Sequence, residues 1–88
     1  MRKVNVTAKI VKITTDKTMT KRIVLDGVVV DGRPFRDHAW IKWSKRFKNV
    51  KCGDTITATA EVREYLGGDL KPKLGLGHFR NVVVVGSV

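Results

Sequence analysis

The sequence has few of the residues that could cross-link a small protein by disulfides or bind a metal. It contains one cysteine, Cys52, and two histidines, His38 and His78. One cysteine cannot form an internal disulfide, and these three residues cannot supply the usual four-ligand zinc site. No apolar run approaches the roughly 18 residues of a membrane-spanning helix, and the first ten residues lack the apolar core of a signal peptide. We therefore expect a cytoplasmic protein with no membrane association, metal or cofactor.

Acidic and aromatic residues are also scarce, whereas basic residues are abundant. The chain has 18 Lys and Arg against 8 Asp and Glu, which gives a net charge of +10. Residues 1–51 hold fourteen of the basic and four of the acidic residues, so the whole excess lies in this first part. A surface of this kind attracts polyanions, because neutralising phosphates releases condensed counterions. The charge distribution therefore favours nucleic acid as the partner.

The length and composition indicate one soluble globular domain over residues 1–88. A chain of 88 residues has room for one hydrophobic core. Its apolar fraction of 42% and charged fraction of 30% are typical of a folded chain rather than a disordered one.

Alternation of apolar and polar residues predicts five strands and no long helix. A change of parity after Ile10 predicts a bulge in the first strand, and Asp31-Gly32 predicts a hairpin turn, with the reversal over residues 31–34. Ser44 is a plausible N-cap for one or two helical turns that bury Phe47 and Val50. Residues 14–20 and 66–73 are expected to be loops. The predicted strands cover residues 4–13, 23–29, 35–43, 55–65 and 82–85.

These elements predict an all-β fold: a five-stranded barrel of OB-fold type, with one short helix between strands 3 and 4. Residues 35–82 resemble small OB-fold proteins that bind single-stranded nucleic acid and are encoded by phages, plasmids and mobile elements. The stretches that carry the resemblance are DHAWI at 37–41, VKCGDTI at 50–56 and ATAEVREY at 58–65. The resemblance implies that the chain handles single-stranded DNA during replication or recombination.

Single strands usually cross the second and third strands of an OB-fold, flanked by the loops between strands 1 and 2 and strands 4 and 5. Trp40 is expected to expose its ring for base stacking, with Trp43 in the core, although a bulge in this strand would reverse the two. Lys and Arg side chains would follow the phosphates without reading sequence. The candidate binding residues are Lys17, Lys21, Arg22, Arg36, His38, Trp40, Lys42, Lys45, Arg46, Tyr65, Lys71 and Lys73.

We expect no enzymatic activity. No Ser or Cys nucleophile has a recognisable setting beside His38, and Gly75-Leu76-Gly77 is too short for a phosphate loop and precedes a strand rather than a helix. Two other functions remain open: an RNA-binding module, and a protein-interaction domain that docks on an acidic partner such as a replication protein. The second would explain why aromatic residues are so few. Pairing of an uncovered strand edge, or of residues 82–88, would produce a homodimer.

Overall fold

The computed structural model describes residues 2–66 and 72–86, and these form an all-β fold. Five antiparallel strands make one sheet in the order β3-β2-β1-β4-β5, and a single 3₁₀ turn lies between β3 and β4. This confirms the predicted strand number and the place of the helical segment. No helix in the described ranges is long and apolar enough to cross a membrane. The strands are β1 (Arg2–Thr15), β2 (Lys21–Val30), β3 (Arg33–Lys42), β4 (Thr55–Leu66) and β5 (Pro72–Gly86), and the turn is Lys45–Phe47.

The sheet is open along the seam between β3 and β5, which are its two edge strands. No hydrogen-bonded ladder joins them within the described ranges, so the predicted closed barrel is not formed by backbone pairing. The two edges nevertheless approach each other, because the Arg36 guanidinium donates a hydrogen bond to the Leu74 carbonyl. Side chains from both edges also line a shared cleft. The sheet therefore curls toward closure and leaves a gap on one side.

β1 is bent as its change of parity predicts. It pairs with β4 through its first half and with β2 through most of its length. Its ladder with β2 shifts register between Thr7 and Lys9 and again between Ile10 and Lys12. Because such bulges increase twist and bend a strand, β1 can serve both halves of the curled sheet.

The turn between β2 and β3 consists of Asp31 and Gly32 alone. Both have positive φ, 50° and 82°, which is the geometry of the two-residue hairpin turn predicted from this pair. Pro34 lies at the second position of β3, across from Val29. β3 therefore begins at Arg33, inside the segment 31–34 over which the reversal was predicted.

The core is closed at one end by Phe47, which is 2% exposed. Its ring lies 5.7 Å from that of Phe79 on β5, in a tilted arrangement. One 3₁₀ turn forms, which is the shorter of the one or two turns expected. Ser44 occupies the N-cap position, but its side chain makes no capping hydrogen bond. Asp54 is buried, and its carboxylate accepts a hydrogen bond from the Lys51 backbone N–H at 2.8 Å, which fixes the turn into β4.

The last strand differs most from its prediction. β5 begins at Pro72 rather than Val82, and Gly75-Leu76-Gly77 lies within it. β4 likewise extends to Leu66, so the loop expected over 66–73 is shorter at both ends. The loop expected over 14–20 begins later than predicted, since β1 reaches Thr15. His78 and Asn81 have positive φ, 51° and 54°, and the β4–β5 register shifts nearby. The first part of β5 was not predicted from the sequence, because these bulges interrupt the alternation of apolar and polar residues.

Candidate nucleic-acid interface

The candidate site is built on one row of side chains that crosses three strands. Lys12 of β1 lies opposite Val24 of β2, and Val24 lies opposite Trp40 of β3. Residues directly opposite each other in antiparallel strands project their side chains from the same face. Val24 is buried and Trp40 is 59% exposed. The ring of Trp40 therefore stands on the outer face beside a buried valine, with a lysine two strands away.

Two further rows flank this one and add charge to the same face. On one side, Thr14, Arg22 and Lys42 follow each other across β1, β2 and β3. On the other side, Lys9, Asp26 and His38 do the same. We call these three rows the cationic face, defined by Lys9, Lys12, Thr14, Arg22, Val24, Asp26, His38, Trp40 and Lys42.

The two tryptophans have different environments, as the alternation in β3 predicts. Trp40 is exposed, whereas Trp43 is half-buried and packs against the core. The Lys21 ammonium lies 4.5 Å from the centre of the Trp43 ring, in a cation–π contact. Of the two indoles, Trp40 has the ring that a base could cover. Lys21 belongs to the Trp43 contact and is not part of the cationic face.

Arg22 is held in place by the turn that precedes β2. Its Nε donates to the Asp16 carboxylate at 2.7 Å, and the other carboxylate oxygen accepts from Thr18 and Thr20. The Arg22 guanidinium, followed by the Thr18 hydroxyl, holds the pKa of Asp16 well below its usual range. Arg22 is thus oriented but partly neutralised. Lys17 is an exposed residue of this same turn.

The seam between the edge strands places two guanidinium groups beside Trp40. A cleft of about 410 Å³ is lined by Trp40 and Arg36 from β3 and by Arg63 from β4, with Leu76 of β5 also on its wall. Arg36 also stacks on the Phe35 ring, 5.0 Å from its centre. Trp40 therefore stands between the cationic face and a cleft that has a guanidinium from each side.

The remaining predicted binding residues lie away from this face or outside what the structure describes. Lys45 and Arg46 are exposed on the 3₁₀ turn beyond the end of β3. Lys71 lies outside the described residues. Tyr65 and Lys73 pair with each other on β4 and β5, and their side chains also lie outside what the structure describes. Of the twelve candidates, those that meet around Trp40 are Arg22, Arg36, His38 and Lys42.

Three cations near Trp40 were missed by the sequence analysis: Lys9, Lys12 and Arg63. Lys9 and Lys12 join the face only because the bulge in β1 places both on its outer side. If strict alternation continued from Lys9 without the bulge, Lys12 would lie on the inner side. Arg63 reaches the site only because β4 and β5 curl toward β3, and no local pattern in the sequence shows that approach.

The chemistry available here is noncovalent binding of an anion that carries flat rings. Lysine and arginine side chains can neutralise phosphates, and an exposed indole can stack on any base. Among the described residues, no group of three or more His, Cys, Asp or Glu could hold a metal ion. Comparisons of the chain with protein-family models, with curated proteins and with solved structures found no match.

Proposed function

We propose that this protein binds single-stranded nucleic acid, DNA in the first place, without sequence preference and without catalysis. The observation that carries the proposal is the exposed Trp40 ring in a row that begins with Lys12 and is flanked by Arg22, Lys42 and Lys9. Stacking on an aromatic side chain accepts every base, because every base has a π face, and cations that follow phosphates read no sequence. Such a protein would act in the replication or recombination of a phage or mobile element.

The direct test is a fluorescence titration with oligo(dT) at low salt. A Trp43→Phe variant leaves Trp40 as the one indole, and binding should quench its emission. Replacing Trp40 by Ala should weaken binding by the roughly 1–3 kcal/mol that one stacked base contributes, whereas Trp40→Phe should retain part of it. If oligo(dT) leaves the emission unchanged and filter binding also detects no complex, the proposal is wrong.

The role of the cationic face is tested by a matched pair of lysines on β1. Lys12→Gln removes a cation from the Trp40 row, while Lys3→Gln removes one nine residues earlier on the same strand, opposite Glu61. Both variants lose the same net charge. Lys12→Gln should reduce affinity and lower the salt slope by about 0.7, the contribution of one phosphate on a single strand. Equal effects of the two would mean that only total charge matters.

Competition between oligo(dT), an equal length of single-stranded RNA and duplex DNA defines the ligand class. Stacking on Trp40 requires bases that are free to leave a helix, so we expect duplex DNA to compete least. RNA and DNA share this requirement. Tighter binding of RNA would move the proposal to an RNA-binding module on the same face.

A second candidate is docking on an acidic protein, such as a replication partner. It is favoured by the shortage of stacking surfaces: among the aromatic side chains that the structure describes, Trp40 alone is exposed. A dedicated single-strand binder commonly has more aromatic platforms. Capture of a partner that survives nuclease treatment and is lost in the Lys12→Gln variant would support docking, while loss of capture on nuclease treatment would support the primary proposal.

A further inference from the structure

The two edges of the sheet are protected to very different degrees. The β3 edge carries charged residues along most of its length and has Pro34 near its start, and both features oppose pairing with another strand. The last part of β5, Val82–Gly86, carries neither. It belongs to the stretch 81–88, NVVVVGSV, which contains no Lys, Arg, Asp or Glu.

Val82 is half-buried against the core, and the three valines that follow it are open to solvent. Val83, Val84 and Val85 are 53%, 41% and 58% exposed. The unbroken apolar run at 82–85 is typical of a strand that is covered on both faces or that crosses the barrel seam, and these exposures show that it is not covered on both faces. β4 pairs with this segment on one side, through Ile56 opposite Val84. No strand lies on the other side within the described ranges. The segment also follows Phe79, the residue that packs against the 3₁₀ turn at the end of the core.

The charge of the molecule limits where two copies can meet. Each copy carries a net charge of +10, so most approaches bring like charges together. The Val82–Gly86 edge is uncharged and consists mainly of β-branched residues, which favour strands. An antiparallel pair of such edges is related by a twofold axis, and four consecutive valines satisfy that symmetry because each faces a valine or another small residue.

We infer that a second copy of this chain binds along β5, with the Val82–Gly86 edges of the two copies paired antiparallel. Five residues from each copy cover much less than the roughly 1,000 Å² that a stable interface needs. The dimer is therefore weak when the protein is free. It becomes significant when neighbouring copies occupy one polyanion, because that raises their local concentration.

Salt distinguishes this interaction from nucleic-acid binding. Repulsion between two strongly cationic copies is screened as ionic strength rises, while the apolar edge contact is not weakened. Self-association of the free protein should therefore increase between about 50 mM and about 500 mM NaCl. Binding to oligo(dT) should decrease over the same range. Failure of one proposal thus leaves the other measurable.

The test is analytical ultracentrifugation of the full chain over a range of protein and salt concentrations. The wild type should move from monomer toward dimer as both rise. Val83→Lys and Val85→Lys should each prevent this, since lysine blocks edge pairing. Val11→Lys is the matched control, because Val11 is 43% exposed but lies on the central strand β1. Hydrogen exchange should show that amide protection of residues 82–86 increases with protein concentration in the wild type and in Val11→Lys, but not in Val83→Lys or Val85→Lys.

Two results would overturn the inference: a wild type that stays monomeric up to its solubility limit at high salt, or a dimer that persists in both the Val83→Lys and the Val85→Lys variant. All three lysine variants should keep wild-type thermal unfolding, since each replaces an exposed side chain. Val83→Lys and Val85→Lys should also bind wild-type-like to an oligonucleotide that accommodates one protein. Val11→Lys is compared for self-association only, because Val11 lies in the bulge next to Lys12 of the cationic face. Loss of dimer in Val11→Lys as well would mean that charge, not the β5 edge, controls association.

Discussion

Asp26 and His38 face each other across β2 and β3, with the carboxylate oxygen Oδ1 3.2 Å from the imidazole Nδ1. The pair lies on the cationic face, in the row next to that of Trp40. Asp26 is thus the carboxylate of the cationic face, whose cations are Lys9, Lys12, Arg22 and Lys42. A phosphate that follows this face passes an acid as well as cations.

The Asp26→Asn variant should bind single-stranded DNA more tightly. The substitution removes a like charge for phosphate and keeps a side chain of the same shape beside His38. Exposed charge pairs contribute up to about 1 kcal/mol, so we expect a gain of roughly two- to fivefold at low salt. Titration of oligo(dT) measures the gain, which should shrink as salt is added.

Asp37→Asn is the control for that experiment. Asp37 is an exposed acid on β3, next to His38 in sequence. Alternation places it on the opposite face from Trp40. Both variants raise the net charge by the same amount. A comparable gain from Asp37→Asn would show that the effect is a general one of charge, and the position of Asp26 would have no special role.

The parts of the fold that the sequence predicted are those with one buried and one exposed face. In β1, buried Val4, Val6, Ala8 and Ile10 alternate with exposed neighbours, so the pattern is visible in the letters alone. β5 gives no such pattern. Gly75 and Gly77 lack apolar side chains, and the positive φ of His78 and Asn81 shifts the faces of the residues that follow.

The candidate site was predicted along β3 and at Arg22 of β2, and its other members were missed, since one strand shows its own parity but not its register against its neighbours. Trp40 and Lys42 were placed on one face because they are two residues apart. Lys12 joins them through pairing across two strands, which depends on the bulge at Ile10 to Lys12. Arg63 depends on the curl of the whole sheet. Neither relation is encoded in a short stretch of sequence.

The Asp16 turn predicts a specific dependence of stability on pH. Because the pKa of Asp16 is lowered in the folded protein, its ionised form stabilises the fold above its ordinary value of 3.8, and this stabilisation is lost as pH falls below that value. Asp16→Asn removes the ionisation but keeps an oxygen acceptor for Thr18. Urea midpoints should show the variant less stable at neutral pH, with the difference shrinking below pH 3.8. A difference that stays constant with pH would contradict this account.

Phe47 is expected to be the most costly single truncation at the closed end of the core. It is 2% exposed and contacts the Phe79 ring, so Phe47→Ala removes a buried aromatic side chain and leaves a cavity. The expected loss in free energy of unfolding is about 3–5 kcal/mol. Leu74→Ala, at a residue 49% exposed, is the control and should cost much less. A loss below about 1 kcal/mol for Phe47→Ala would mean that the turn does not close the core.

Asn81 is expected to tolerate glycine and to reject valine, although valine is the commoner residue in this part of β5. Its φ of 54° lies in the left-handed region, which costs an ordinary L-residue about 1–2 kcal/mol and is easiest for Gly and Asn. Asn81→Val should therefore destabilise the protein by about that amount, while Asn81→Gly should stay within about 1 kcal/mol of the wild type. Arg80→Val places the same β-branched side chain at the preceding exposed position, which is not among the residues with positive φ, and should change stability little. Thermal and urea unfolding of the three variants would measure this order. A stable Asn81→Val protein would show that β5 can form without the bulge that turns its valines to the surface.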